Sequence, residues 1–149
     1  MQSIGSSFRQ QDRSIRLTFS YKSSQVRLIS RQILDKRPPS SDPLLDPQKD
    51  DPQSGFWIEL RDREDRAVYR KIMHNPIELS VETISEDSER TFTRQPISEP
   101  RGTFFSVIPN LEEAESVVIL SSPLDVEARQ EAAREIARFA LKNQQEEIQ

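Results

Sequence analysis

Gly55-Phe56-Trp57-Ile58-Glu59-Leu60-Arg61, followed by Val68-Tyr69-Arg70-Lys71-Ile72-Met73, decides the fold. In the first run Phe56, Ile58 and Leu60 alternate with Trp57, Glu59 and Arg61. In the second, Val68, Arg70 and Ile72 alternate with Tyr69, Lys71 and Met73. A period of two sends successive side chains to opposite faces of a strand, whereas a helix repeats every 3.6 residues. The charged turn at Arg63-Glu64-Asp65 joins the two runs into a β-hairpin. Placing Phe56, Ile58, Leu60, Val68 and Ile72 on one face requires even positions to oppose even positions, hence a loop of three or five residues. That register gives an aliphatic inner face and an outer face carrying Trp57, Glu59, Tyr69, Lys71 and Met73.

The same period extends to both sides. Upstream, Ile15, Leu17, Phe19 and Tyr21 alternate with Arg16, Thr18 and Ser20, and a turn at Lys22-Ser23-Ser24 leads into a second strand over 25–34. Downstream, Ile77, Leu79, Val81 and Thr83 alternate, and Thr91-Phe92-Thr93 forms a short strand. In 103–108, Phe104, Ser106 and Ile108 face one way and Phe105 and Val107 the other, which fits burial on both sides. Ser116-Val117-Val118-Ile119-Leu120 is an apolar run of strand length. Seven to eight short strands with no intervening helix predict an all-β antiparallel sandwich, with a five- or six-stranded barrel as the alternative.

Two segments break the pattern. Residues 35–54 hold Pro38, Pro39, Pro43, Pro47 and Pro52 with Asp42, Asp46, Asp50 and Asp51, and read as a long loop. Its composition favours disorder, with Leu44-Leu45 as its one apolar anchor. From Ser122-Pro123-Leu124-Asp125 a helix is expected, with Ser122 at the N-cap and Pro123 at the first helical position. Val126, Ala133, Ile136, Ala137, Phe139 and Ala140 form its apolar stripe, and Glu131–Arg134 and Glu135–Arg138 are i,i+3 pairs on its wet side. The organisation expected is therefore a disordered tail at 1–13, a sandwich over 14–122 with its loop at 35–54, and a C-terminal amphipathic α-helix with a frayed end over 123–149.

The span from Gly55 to Pro123 resembles the immunoglobulin- and fibronectin-type β-sandwich modules of large bacterial proteins. The likeness rests on Gly55-Phe56-Trp57-Ile58-Glu59-Leu60, on Tyr69-Arg70-Lys71, and on Gly102-Thr103-Phe104-Phe105-Ser106-Val107-Ile108-Pro109, which is similar to their penultimate strand. It covers about half the chain. It departs from antibody-type domains in having no cysteine pair and in placing Trp57 outward rather than against a disulfide. The resemblance implies an immunoglobulin-like architecture and no activity.

Composition narrows the chemistry. The 149 residues suffice for one domain with one core. With no cysteine, thiolate metal sites and thiol nucleophiles are excluded. His74 is the sole histidine, no nucleophile elbow exists, and three glycines cannot build a phosphate loop. No enzyme, cofactor or metal site is expected. Calcium on Asp42, Asp46, Asp50 and Asp51, or on Asp62, Glu64 and Asp65, lacks the EF-hand spacing, and solvated acidic turns are the simpler reading. The net charge of -4 disfavours nucleic acid; the basic run Arg9, Arg13, Arg16, Lys22, Arg27, Arg31, Lys36 and Arg37 reads as the polar face of two strands. Neither a signal-peptide pattern nor a membrane-length apolar run occurs, so a cytoplasmic setting without membrane contact is expected.

The function expected is a non-enzymatic accessory or adaptor module that binds a protein partner or other domains of a larger chain. Trp57, Tyr69, Lys71 and Met73 would form one partner-binding surface. Ile136 and Phe139 on the helix would form a second, through which two copies could also pair. The helix could equally cover the aromatic face. A carbohydrate-binding sandwich using the same aromatics is the alternative, and a carboxylate-dependent hydrolase a more distant one.

Overall fold

The computed structural model describes residues 13–77, 100–123, 128 and 130–141. Among the described residues seven strands follow in order: β1 (Ser14–Lys22), β2 (Gln25–Leu34), β3 (Phe56–Arg61), β4 (Ala67–Ile72), β5 (Arg101–Pro109), β6 (Ser116–Ser121) and β7 (Arg134–Ala140). They form two antiparallel sheets, one in the order β2-β1-β5 and the other β4-β3-β6-β7. This is the β-sandwich that the period-two pattern predicts.

The alternating apolar residues of the two sheets face one another. Ile15, Leu17 and Phe19 of β1 and Ile108 of β5 meet Phe56, Ile58 and Leu60 of β3 and Val117 and Ile119 of β6 in one buried cluster. An aromatic group ties the layers together: Phe104 stacks on Phe19 at 5.0 Å between centroids and meets the edge of Phe56 at 6.0 Å, while Phe139 lies 5.9 Å from Phe19. Such rings attract beyond the area they bury. Phe105, on the other side of β5, is not covered by a second layer: it is 57% exposed.

The C-terminal helix is the main departure from expectation. Arg134–Ala140 is β7, paired antiparallel with β6. Ala, Glu and Arg favour a helix locally, but propensity is a weak term beside a pairing that also fills a core. Ala137, Phe139 and Leu141 have a strand's spacing as well as a helix's, and all three join the central cluster. The register shift between Ile119 and Leu120 leaves Ile136 without a Cα partner, a bulge. That bulge returns Glu135 and Arg138 to the same face, so the i,i+3 pair expected on a helix forms on a strand, with Arg138 donating to both carboxylate oxygens at 2.8 and 2.9 Å. Residues 124–127, 129 and 142–149, and with them most of the expected helix start and its fray, lie outside the described residues, as do 1–12 and the expected strands across 78–99.

The hairpin exists as read, but its register slips. Arg61 opposes Ala67, so the loop has the odd length argued for. A bulge at Val68 then sets Tyr69 opposite Leu60 and Arg70 opposite Glu59. Every later side chain of β4 therefore lies on the face opposite to the one assigned from periodicity.

Candidate functional site

Strand β3 is buried on both faces, and its outward side is the floor of the site. Trp57 and Glu59 are 4% and 5% exposed. They are covered by the proline-rich segment 39–53, which is held by specific bonds rather than disordered. Prolines cannot continue a ladder, so the loop reaches β4 through side chains and isolated amides. The Asp42 amide donates to the Arg70 carbonyl at 2.7 Å, the Ile72 amide donates to the Asp42 carboxylate at 2.7 Å, and the Arg70 amide donates to Ser41 Oγ at 3.1 Å. Arg70 lies over the Trp57 ring at 4.5 Å and donates through Nη1 to the Pro43 carbonyl at 3.0 Å. Further along, the Asp50 carboxylate accepts from the Asp46 amide at 2.7 Å and closes a compact turn.

Between this loop and the sheet lies a cleft of about 740 Å³. Leu44, Leu45, Trp57, Leu120, Ala67 and Ala133 give it apolar walls. Among the described residues Asp46, Asp50, Asp51, Glu59 and Asp65 line it, with the cations Arg61 and Arg66. The deepest carboxylate is committed: Glu59 accepts from Trp57 Nε1 at 2.9 Å and from Arg61 Nε at 2.9 Å and Nη2 at 2.8 Å. Arg61 also meets Asp65, which pairs with Arg138 at 2.8 Å, which holds Glu135. The Arg138 guanidinium keeps the Asp65 and Glu135 carboxyls below their ordinary range, and its own proton is held more tightly in return.

The residues singled out from sequence are distributed differently from the exposed face expected of them. Trp57 lines the cleft, but its neighbour there is Arg70 rather than Tyr69. Tyr69 is 3% exposed within the central core, and burial pushes its hydroxyl up to about 12. Lys71 is half-buried, and Met73 packs against the core. Ile136 and Phe139 also pack on the core from β7, so they belong to a strand and not to the helix expected to present them as a second surface. His74 is exposed just beyond β4. The acidic residues of the loop do not converge on a point. The carboxylates of Asp42, Asp46 and Asp50 bond backbone amides, Asp62 caps the β3–β4 turn, and no group of three potential ligands is poised for a metal among the described residues.

Sequence reasoning names Leu44-Leu45 as the loop's anchor, and both line the cleft, but it misses Arg70, Leu120 and the bonding of the loop. The signal for Arg70 is available in one form: an arginine inside an otherwise apolar alternation marks a place where something must receive its charge. Comparison with protein-family profiles, with curated proteins and with solved structures finds no match to this chain. Among the described residues no helix is long and apolar enough to cross a membrane.

Proposed function

We propose that this protein is a non-enzymatic interaction module, and that the cleft under the proline-rich loop receives a short cationic–apolar segment of a partner protein. The observation that carries this reading is the cleft's construction: apolar walls, an acidic rim and a floor whose charges are already paired. A hydrolase working through two carboxylates needs a pair free to take and give protons. Here Glu59 is bonded to Trp57 and Arg61, and Asp65 to Arg61 and Arg138. Trp57 is buried, with the Arg70 guanidinium over its ring, so it offers no open face for a sugar to stack on. An adaptor or accessory role, in a bacterial cytoplasm, belongs to the same proposal and rests on the sequence. An immunoglobulin- or fibronectin-type ancestry is supported by the run β3-β6-β7, which is the order of the C, F and G strands of immunoglobulin domains. The other sheet departs from that pattern, since β1 and not β2 is its central strand.

The test is a selection of displayed random octapeptides on the immobilised protein. Enriched peptides should place Lys or Arg beside an aliphatic or aromatic residue. As synthetic peptides they should shift the emission of Trp57, the sole tryptophan. Leu120→Lys and the pair Asp50→Lys, Asp51→Lys should each abolish that shift. Selection of peptides without this pattern, or binding indifferent to both variants, would sink the reading.

A further inference from the structure

The outer face of the β2-β1-β5 sheet has a character opposite to that of the cleft. None of its three strands contains an aspartate or glutamate. The registers place Arg16, Thr18, Ser20 and Lys22 of β1 on this face. Arg27 opposes Ser20 from β2, and Thr103 opposes it from β5. Arg101 and Gln25 flank Lys22. Phe105 stands opposite Thr18 in the middle of the sheet, 57% exposed, with the Arg16 guanidinium 5.0 Å from its ring centroid. Arg16, Lys22, Arg27 and Arg101 are all exposed. Part of the N-terminal basic run thus stands on an open sheet whose own strands supply no opposing charge.

We infer that this face binds single-stranded nucleic acid, with Phe105 as the platform for one base and the surrounding cations on the backbone. The inference is independent of the cleft, which lies on the other sheet. Three features select this occupant. An exposed ring set within cations is what stacking on a base uses, and an acidic peptide would leave it without a role. The hydroxyls of Thr18, Ser20 and Thr103 offer hydrogen bonds of either sense beside the ring, as the mixed donors and acceptors of a base edge require. A membrane surface would call for a contiguous apolar patch to insert; here Val107, opposite Arg16, is part-buried, and Ile29, exposed at the β2 bulge, is separated from Phe105 by Thr18. From Arg16 to Lys22 the face runs about 20 Å at a strand's rise, and three strands are about 10 Å wide. That holds a segment of about four nucleotides. The net charge of -4 disfavours nucleic acid for the chain as a whole, but the charge is unevenly placed, and the strands of this sheet carry only cations. The cleft's carboxylates lie on the far sheet and its loop, across the sandwich from this face.

The experiment is fluorescence anisotropy of labelled dT12 and rU12 with the whole protein, between 50 and 200 mM NaCl, with heparin and poly-glutamate as competitors. Four contacted phosphates predict a slope of log K against log salt of about 3 in magnitude, at about 0.7 per phosphate on a single strand. Arg27→Gln with Arg101→Gln should lower that slope by about 1.4. Phe105→Ala should weaken binding about five- to a hundredfold with the slope unchanged, and Phe105→Tyr should retain it. Phe105 is exposed, so these variants fold, and unchanged Trp57 emission checks that they do. Tighter binding of rU12 than dT12 would identify RNA as the source, and the reverse would identify DNA. Absence of binding at 50 mM salt overturns the proposal. So does an affinity that Phe105→Ala leaves intact and heparin matches, because that is attraction to any polyanion.

Discussion

Replacing Asp42 by Ala tests how the cleft is held. Its carboxylate is the acceptor for the Ile72 amide at 2.7 Å, on the edge of β4 that faces away from β3. A hydrogen bond to a charged acceptor contributes about 1.5–3 kcal/mol, and one whose donor can be rewetted falls at the low end. Ile72 is 53% exposed, so the loss is about 1.5 kcal/mol, a rise of about tenfold in the population with the loop lifted. The Asp42 amide still donates to the Arg70 carbonyl, and Arg70 still holds the Pro43 carbonyl, so docking weakens without failing. Hydrogen exchange reads this at two amides. That of Ile72 should lose its protection outright, and that of Arg70, bonded to Ser41 Oγ, should exchange about tenfold faster. Asp42→Asn keeps a neutral acceptor and should fall between. If both amides exchange within about twofold of the wild type, the loop is not clamped as described, and the cleft is not a formed site.

Three further outcomes follow from the same contacts. Glu59→Met and Arg61→Met each strand a poorly hydrated charge and should cost about 2–3 kcal/mol in urea unfolding, while the double variant costs less than their sum by about 2 kcal/mol; a coupling below about 0.5 kcal/mol would place this pair among ordinary surface ion pairs. Arg138→Gln should let the Asp65 and Glu135 carboxyls rise toward their ordinary values in an NMR titration. Their folded values are depressed, so the stability they contribute is present above the unfolded carboxylate range of about 4 and is lost as pH falls through the folded values; the variant should show a shallower acid limb, and an unchanged one would refute the linkage. Ser106 Oγ is buried in the core with no hydrogen-bond partner among the described residues, so Ser106→Ala should raise stability by up to about 1 kcal/mol in thermal melts, and a loss would mean that the hydroxyl has a partner.

What could be read from the residues and what could not have separate physical causes. Ile15, Leu17 and Phe19, or Phe56, Ile58 and Leu60, announce their strands because a half-buried strand leaves a period-two trace in its own sequence. The bulge at Val68 leaves none. It costs one residue of phase and moves Tyr69 from the assigned surface into the core. The segment at 134–140 carries two periods at once, and only the open edge of β6 decides between them. The loop at 35–54 is the opposite case: its composition is that of a disordered linker, yet Ser41 and Asp42 bond the edge of β4, and the Pro43 carbonyl accepts from Arg70 of that strand. Such bonding depends on which strand edge lies nearby, which no local window contains. The outward cations of β1 and β2 are legible as a polar face. That Phe105 stands among them is not, because it depends on the pairing of β1 with β5, a strand that begins only at Arg101.

The bonds from Ser41 and Asp42 also bear on how the protein behaves in a crowded solution. A strand with unpaired amides at the border of a sheet is a template on which another chain can grow a strand of its own. Here the groups at Arg70 and Ile72 are occupied by a segment that Pro39 and Pro43 bracket, and whose own far side offers no regular ladder for the next strand. The proline-rich loop thus ends the sheet as well as roofing a cleft. Replacing its residues 39–43 with a flexible polar run would bare Trp57 and the edge of β4 together and leave a seed for intermolecular sheet growth.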